Sequence, residues 1–168
     1  SVQQLQDPDL IELLKQAVVS SRVDPNLLEV EITESLFLER TEVNMENLAS
    51  IRDLGTGIAI DDFGTGYSSM AYLAQLPFTV LKIDKTFVDD VHLPQGSAII
   101  SAVVALSNGL GVEVIAEGVE TEAQANRLLQ LGCVHAQGFF YSRPLAIDQF
   151  EALMESGFRL PSSQRLGS

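Results

Sequence analysis

The chain has 168 residues, of which 46% are hydrophobic, and a formal net charge of −13 at pH 7. This length and apolar content suit a single domain with a buried core. The negative charge argues against a long nucleic acid as partner, because binding one requires a basic surface. A small phosphate ligand is compatible with this charge if metal ions supply positive charge.

Cysteine usage and hydropathy predict where such a chain works. The one cysteine, Cys133, cannot form an internal disulfide and suits a reducing cytoplasm. The sequence has no signal peptide and no apolar stretch long enough to cross a bilayer. We therefore predict a cytoplasmic domain, which leaves open a membrane tether elsewhere in a parent protein.

The first part of the chain predicts a helix and then a strand. Asp7 and Pro8 form a typical helix start, with the acid at the N-cap, and apolar residues follow helical spacing to about Ser20. Residues 27–34 alternate strictly between apolar and polar, which predicts a strand. Its polar face carries Glu29, Glu31 and Thr33. Carboxylates gathered on a single face of a strand are unusual.

The next predicted strand ends in two adjacent acids. It follows a helix from Thr41 to Gly55, and its apolar run, residues 57–60, leads directly into Asp61 and Asp62. Paired carboxylates at the end of a buried strand repel each other unless a cation lies beside them. A divalent metal is the obvious candidate, and the alternative is a helix cap or an exposed turn. A glycine-bracketed turn at 63–66 and a short helix at 68–76 follow.

The rest of the chain continues the alternation of strands and helices. Strands are predicted at residues 80–84, 113–117 and 134–139. Three helices are predicted: one at residues 97–108, one that begins at a capping box formed by Thr121 and Gln124, and one at residues 148–154. We predict that residues 161–168 form a flexible tail.

Five strands alternating with helices predict βα units and a parallel sheet. The polar exceptions fall at the carboxyl ends of these strands, where an α/β barrel builds its active site. They are Glu31, Asp61, Lys82, Asp84, Glu117 and Gln137. A doubly wound sheet binds ligands at one crevice, so polar residues on every strand favour the barrel. We therefore predict an α/β fold of the TIM type, incomplete as supplied, with about five of its eight strands.

The chemistry of these strand ends favours hard metal ions. Acids, one lysine and no histidine suit Mg²⁺ or Mn²⁺ rather than zinc. Several carboxylates around a bridging Asp resemble a two-metal hydrolase site. Lys82 would hold a nucleophilic water or pair with a phosphate, and the alternative is a structural salt bridge between Lys82 and Asp84.

Five motifs in order resemble one known family. They are EITES at residues 31–35, DDFGTGYSS at 61–69, LKIDKTFV at 81–88, AEGVET at 116–121 and QGFFYSRP at 137–144. Together they are similar to the EAL-domain family of bacterial phosphodiesterases that cleave cyclic di-GMP. The motifs cover nearly the whole chain, so the resemblance is specific.

The resemblance implies a role for each matching residue. Glu31, Asp61, Asp62 and Glu117 would be metal ligands, with Lys82 and Glu117 the catalytic residues and Lys82 at the attacking water. Glu34 would steady the loop after the Asp pair, and Asp84, Glu120 and Gln137 would support the site. Residues 63–69, with Gly64, Thr65 and Gly66, would form a loop that couples the metal site to dimerisation.

The resemblance also implies that part of the domain precedes this chain. The Glu-Ala-Leu strand that names the family, and the asparagine strand after it, should both come before Ser1, and each carries a metal ligand. We therefore expect residues 1–160 to be a partial domain, inactive by itself.

The function predicted on these grounds is hydrolysis of cyclic di-GMP to the linear dinucleotide with two Mg²⁺ or Mn²⁺ ions. The implied partners are a second copy of the domain and an upstream sensory or GGDEF domain, and no polymeric nucleic acid. The main alternative is a catalytically inactive EAL domain that binds cyclic di-GMP as a receptor. A more distant one is an unrelated Mg²⁺-dependent barrel of the enolase kind.

Overall fold

The structure is a computed structural model that describes residues 2–34, 41–64 and 73–157. Its strands are β1 (Glu29–Thr33), β2 (Gly57–Phe63), β3 (Val80–Ile83), β4 (Glu113–Ala116) and β5 (His135–Ala136). They form one sheet in the order β1-β2-β3-β4-β5, and every neighbouring pair is parallel. The α/β fold of an incomplete TIM-type barrel is thereby confirmed.

Helices connect these strands within the described residues. They are α1 (Val2–Leu5), α2 (Leu10–Ser21), α3 (Glu42–Asp53), α4 (Lys85–Asp89), α5 (Pro94–Leu110), α6 (Glu122–Gln130) and α7 (Ile147–Glu155). A single 3₁₀ turn, Pro25–Leu27, precedes β1. None of the described helices has both the length and the apolar character needed to cross a membrane.

The core lies on both sides of the central strands. All four residues of β3 are buried, and so are Ile58 and Ile60 of β2. Helix α3 packs Leu48 and Ile51 against this sheet, and α5 adds Ile100. A parallel strand covered on both faces should be apolar throughout, so the buried lysine within β3 requires a specific explanation.

Several predicted elements begin or end elsewhere; for example, the helix predicted at residues 97–108 is Pro94–Leu110, and the strand predicted at residues 57–60 continues to Phe63. The prediction of Asp7 as a helix N-cap is wrong: α2 starts at Leu10, and the Asp7 carboxylate accepts the backbone N–H of Asp9 in a preceding turn. The last strand is shorter than predicted, because the chain turns at Gly138 and packs against Val119. A Cβ atom at Gly138 would lie 2.2 Å from the Val119 carbonyl oxygen. Most of the predicted helix 68–76, and the tail 161–168, lie outside the described residues.

The start of α6 has the capping box predicted from the sequence. The Thr121 hydroxyl accepts the Gln124 backbone N–H at 3.2 Å, and the Gln124 side-chain oxygen accepts the Thr121 N–H at 3.0 Å. These two bonds satisfy donors that have no partner inside the helix. They also fix the point where α6 meets the loop that follows β4.

We expect Thr121→Ala to lower the free energy of unfolding by about 1 kcal/mol, because the helix loses its N-cap acceptor. Urea denaturation followed by circular dichroism measures this loss. Thr121→Ser is the matched control, since it keeps the hydroxyl, and its stability should stay near that of the parent protein. Equal stability of all three proteins would contradict the capping role.

Candidate active site

Lys82 lies at the centre of the site. Strand β3 carries it into the interior, where only 4% of the residue is exposed. Its ammonium nitrogen lies 2.7 Å from Glu31 Oε1, 2.7 Å from Glu117 Oε1 and 3.1 Å from Asp61 Oδ1. Burial opposes the charge, but contacts with Glu117, Glu31 and Asp61 outweigh it and raise the pKa of Lys82. The side chain is therefore a fixed cation that joins β1, β2 and β4.

Three carboxylates converge beside this lysine. Oxygen atoms of Asp61, Asp62 and Glu117 all lie within 4.8 Å of one another. Asp61 Oδ1 is buried and makes no hydrogen bond, although it lies 3.1 Å from the Lys82 nitrogen. Three carboxylates this close together form a set of hard oxygen donors, which fits a divalent cation such as Mg²⁺, Mn²⁺ or Ca²⁺.

A bulge in β2 allows the adjacent residues Asp61 and Asp62 to lie in the same site. Adjacent side chains of a regular strand point to opposite faces. The pairing of β2 with β3 shifts register between Ile60 and Phe63, and Asp62 has a φ of 55° in the left-handed region. Burial and the nearby charges of Asp61 and Asp84 raise the pKa of the Asp62 carboxyl.

Glu117 is held by the ends of two other strands. Its backbone N–H donates to the Ile83 carbonyl at 3.0 Å, and the Gln137 amide donates to its carboxylate. Burial raises the pKa of Glu117, and the charge of Lys82 opposes this rise. Gln137 thus lies on the predicted site, in direct contact with Glu117.

Glu31 has a different environment from the three converging acids. Its carboxylate accepts a hydrogen bond from Lys82, and half of its side chain is exposed. It is outside the three-carboxylate group, so the contact that the structure gives it is with the lysine. Its role as a metal ligand stays a prediction.

Glu34 contacts the backbone just after the Asp pair. It is buried, and its Oε2 accepts the Gly64 N–H at 2.9 Å. Gly64 has a φ of 98°, and a Cβ atom there would lie 2.8 Å from the Phe87 ring. A side chain at this position would therefore force a rearrangement. Thr65 and Gly66 of the predicted loop lie outside the described residues.

Asp84 and Glu120 lie around the cluster. Asp84 caps α4 and accepts the backbone N–H and the hydroxyl of Thr86. Burial opposes ionisation of Asp84, but these hydrogen bonds from Thr86 prevail and lower its pKa. The ion pairs of Lys82 do not include Asp84, which argues against the alternative of a structural salt bridge between them. Glu120 pairs with Lys85 at 2.9 Å.

A cavity of about 860 Å³ opens next to Glu117, and it is lined by motif residues and by residues of α7, which lies outside the motifs. Arg143 lies over the Phe139 ring at 4.8 Å, and Phe150 of α7 lines the same space. Lys85 also lines it. The sequence predicts a helix here, but its periodicity does not show that the apolar face of α7 borders the site.

Comparisons with known proteins bear on the identity of this site. The sequence profile described as the EAL domain matches residues 1–144. The cyclic di-GMP phosphodiesterase RocR of Pseudomonas aeruginosa is 39% identical over 148 residues, which cover 88% of this chain and 38% of RocR. Three other curated relatives are longer still, and the chain spans 19%, 23% and 20% of their lengths.

Solved structures have the same fold. One is the PaMucR phosphodiesterase in complex with c-di-GMP, and MucR is a protein of Pseudomonas aeruginosa. It matches with a TM-score of 0.83 and 40% identity, and the match covers 89% of this chain and 61% of that chain. Klebsiella pneumoniae BlrP1 with manganese and c-di-GMP matches with a TM-score of 0.78 and 32% identity over 84% of this chain and 36% of that chain. The profile match and these relatives confirm the resemblance read from the motifs: the chain belongs to the EAL-domain family.

Proposed function

We propose that the domain containing this chain hydrolyses one phosphodiester bond of cyclic di-GMP and releases the linear dinucleotide, using two Mg²⁺ or Mn²⁺ ions. The observation that carries the proposal is the convergence of Asp61, Asp62 and Glu117 beside the buried Lys82. The relatives that share the fold support the substrate, since RocR is named a cyclic di-GMP phosphodiesterase and the PaMucR structure is a complex with c-di-GMP.

The acids of this chain would hold the metal ions. Asp61 and Asp62 come from β2, Glu117 follows β4, and Glu31 of β1 is the further ligand that the family resemblance implies. When bound, the metal ions would activate water and offset negative charge on the phosphate. Because the chain has a net charge of −13, a phosphate ligand needs such cations to approach this face.

Lys82 supplies a permanent positive charge beside the reacting phosphate. Because its pKa is raised, the ammonium keeps its proton and cannot act as a general base near neutral pH. Its N–H groups can donate to the attacking water or to a phosphate oxygen as charge develops there. Its contacts with three strands hold it in place before substrate arrives, so little reorganisation accompanies the reaction.

The cavity beside Glu117 is suited to the rest of the dinucleotide. Phe139 offers an exposed aromatic face, and Arg143 adds a cation above it. Apolar residues with a few polar groups are typical of small-molecule sites. In this proposal the carboxylates hold the cations that face the phosphate, and the cavity receives part of the base or sugar.

We expect the full-length protein to convert cyclic di-GMP to the linear dinucleotide with Mg²⁺ or Mn²⁺, and Ca²⁺ to inhibit. Ca²⁺ takes more ligands at longer distances and suits a compact two-ion site poorly. Chromatography of the reaction products across the three ions measures this. Full activity with Ca²⁺, or a requirement for zinc, would refute the metal assignment.

Asp61→Asn is the control for this assay, because it removes a charge from the cluster while keeping the shape of the side chain. Its turnover should fall to background. A parent protein that binds cyclic di-GMP tightly but does not cleave it with any of the three ions would establish the receptor alternative instead.

Replacing Lys82 by methionine should reduce turnover by about 100-fold while leaving cyclic di-GMP binding largely in place, because the charge acts mainly in the transition state. Loss of the ammonium also leaves three carboxylates uncompensated, so the metal-free protein should lose about 3 kcal/mol of stability. Initial rates, calorimetry with cyclic di-GMP and urea denaturation in EDTA measure these effects.

Lys82→Arg is the matched control, since it keeps the charge and should retain most of the stability. If Lys82→Met loses ligand binding together with activity, Lys82 anchors the phosphate in the ground state and the proposed role is wrong.

We infer a homodimer in which residues 63–69 take part, as the family resemblance implies, with apolar contacts because two acidic surfaces repel. The greater length of the relatives supports a sensory or GGDEF domain elsewhere in the full-length protein, which we place in the cytoplasm. Sedimentation velocity of the full-length protein should give a dimer, and a monomer at high concentration would contradict this.

A further inference from the structure

Lys85 makes contacts that the stability of its own helix does not explain. It is the first residue of α4, and its ammonium lies 2.9 Å from Asp89 and 2.9 Å from Glu120. A cation at the amino end of a helix opposes the helix dipole, and a lysine four residues before an acid is the less favourable order for such a pair. The contact with Glu120 instead connects α4 to the loop after β4.

The stem of Lys85 forms the surface on which this loop rests. Gly118 has a φ of 68°, and a Cβ atom there would lie 2.5 Å from Lys85 Cγ and 2.7 Å from its Cδ. The backbone immediately after Glu117 therefore lies directly against the methylene groups of Lys85. A residue with a side chain at Gly118 would displace either the loop or the lysine.

Lys85 thus contacts the loop on both sides of its turn. The stem packs against Gly118, next to Glu117, and the ammonium bonds Glu120, which leads into the capping box of α6. Backbone hydrogen bonds hold Glu117, whose N–H donates to the Ile83 carbonyl, and Val119, which bonds the backbone of Gln137 and Phe140. Lys85 contacts Gly118 and the Glu120 side chain, which lie on either side of Val119.

We propose that Lys85 is a positioning residue that holds the carboxylate of Glu117 towards Asp61 and Asp62. It does so by packing its stem under Gly118 and bonding Glu120. This inference rests on the proposed metal site, and it assigns a role to a side chain outside the acids and the lysine that form that site. Residues that orient metal ligands in this way typically change metal affinity by 10- to 100-fold when they are replaced.

The direction of the effect separates positioning from simple electrostatics. Lys85 lines the same cavity as Glu117, so removing its positive charge should by Coulomb's law strengthen the binding of a divalent cation. Loss of positioning predicts the opposite, a weaker site. A decrease in affinity therefore cannot come from the change in charge.

The test is the affinity of the full-length protein for Mn²⁺, measured by calorimetry with Mn²⁺ alone. We expect Lys85→Ala to bind Mn²⁺ roughly tenfold more weakly and to show a lower turnover number. Lys85→Arg, which keeps both the stem and the charge, should restore the parent affinity. Lys15→Ala is the matched control, because it removes the same charge from an exposed position on α2 and should leave Mn²⁺ binding unchanged.

Lys85→Met keeps the stem without the ammonium and should fall between the alanine variant and the parent protein. Thermal melting in EDTA checks that each variant is folded. If the alanine variant does not fold, the methionine variant still tests the proposal, because it keeps the packing of the stem. Unchanged or stronger Mn²⁺ binding in both Lys85→Ala and Lys85→Met would overturn the proposal. So would an equal loss in Lys15→Ala.

The parallel assay of hydrolysis distinguishes this inference from the proposed function. A parent protein that binds Mn²⁺ in a Lys85-dependent way but does not cleave cyclic di-GMP would refute the enzyme assignment and support the role of Lys85. A parent protein that binds no Mn²⁺ would overturn both.

Discussion

The site depends on the balance between one buried ammonium and the acids of the neighbouring strands. Lys82 contacts Glu31, Asp61 and Glu117, and Asp62 lies beside two of them. Four carboxylates against one lysine leave an excess of negative charge, which water screens at the exposed Glu31 and Asp62 better than at Asp61 and Glu117. The lysine offsets part of the repulsion between the acids in the folded chain, but it does not cancel their total charge. The remaining charge is what a divalent cation would offset.

The order of the parallel strands brings these groups together. Because β1 to β5 pair in sequence order, their carboxyl ends lie side by side at one edge of the sheet. Leu81 pairs with Ile60, so the next residue of each strand, Lys82 and Asp61, come to the same level. Glu117 reaches that level through its bond to Ile83. The site is thus a consequence of register, and a slip of one residue would turn Lys82 away from the acids.

Much of the fold could be predicted, because alternating strands and a capping box are local patterns. The strand ends carrying Asp61, Lys82 and Glu117 were visible for the same reason. The features of the site that the sequence did not reveal depend on contacts between distant segments. Adjacent acids on a regular strand should diverge, and only the bulge in β2 allows Asp62 to approach Asp61. In the same way, Lys85 lies within the motif at residues 81–88, but its proposed role depends on Gly118 in another loop.

The acidity of the chain and its proposed anionic ligand are compatible because the charges are separated in space. The carboxylates gather at the strand ends, whereas the adjoining cavity is lined largely by apolar and aromatic groups, with Arg143 and Lys85 at its wall. A dinucleotide has the same division, with charged phosphates between neutral bases. Cations held by the acids would receive the phosphate, and the apolar part of the cavity, around Phe139 and Phe150, would receive a base. The fold therefore need not be basic to bind a nucleotide, since only one small region of the ligand requires positive charge.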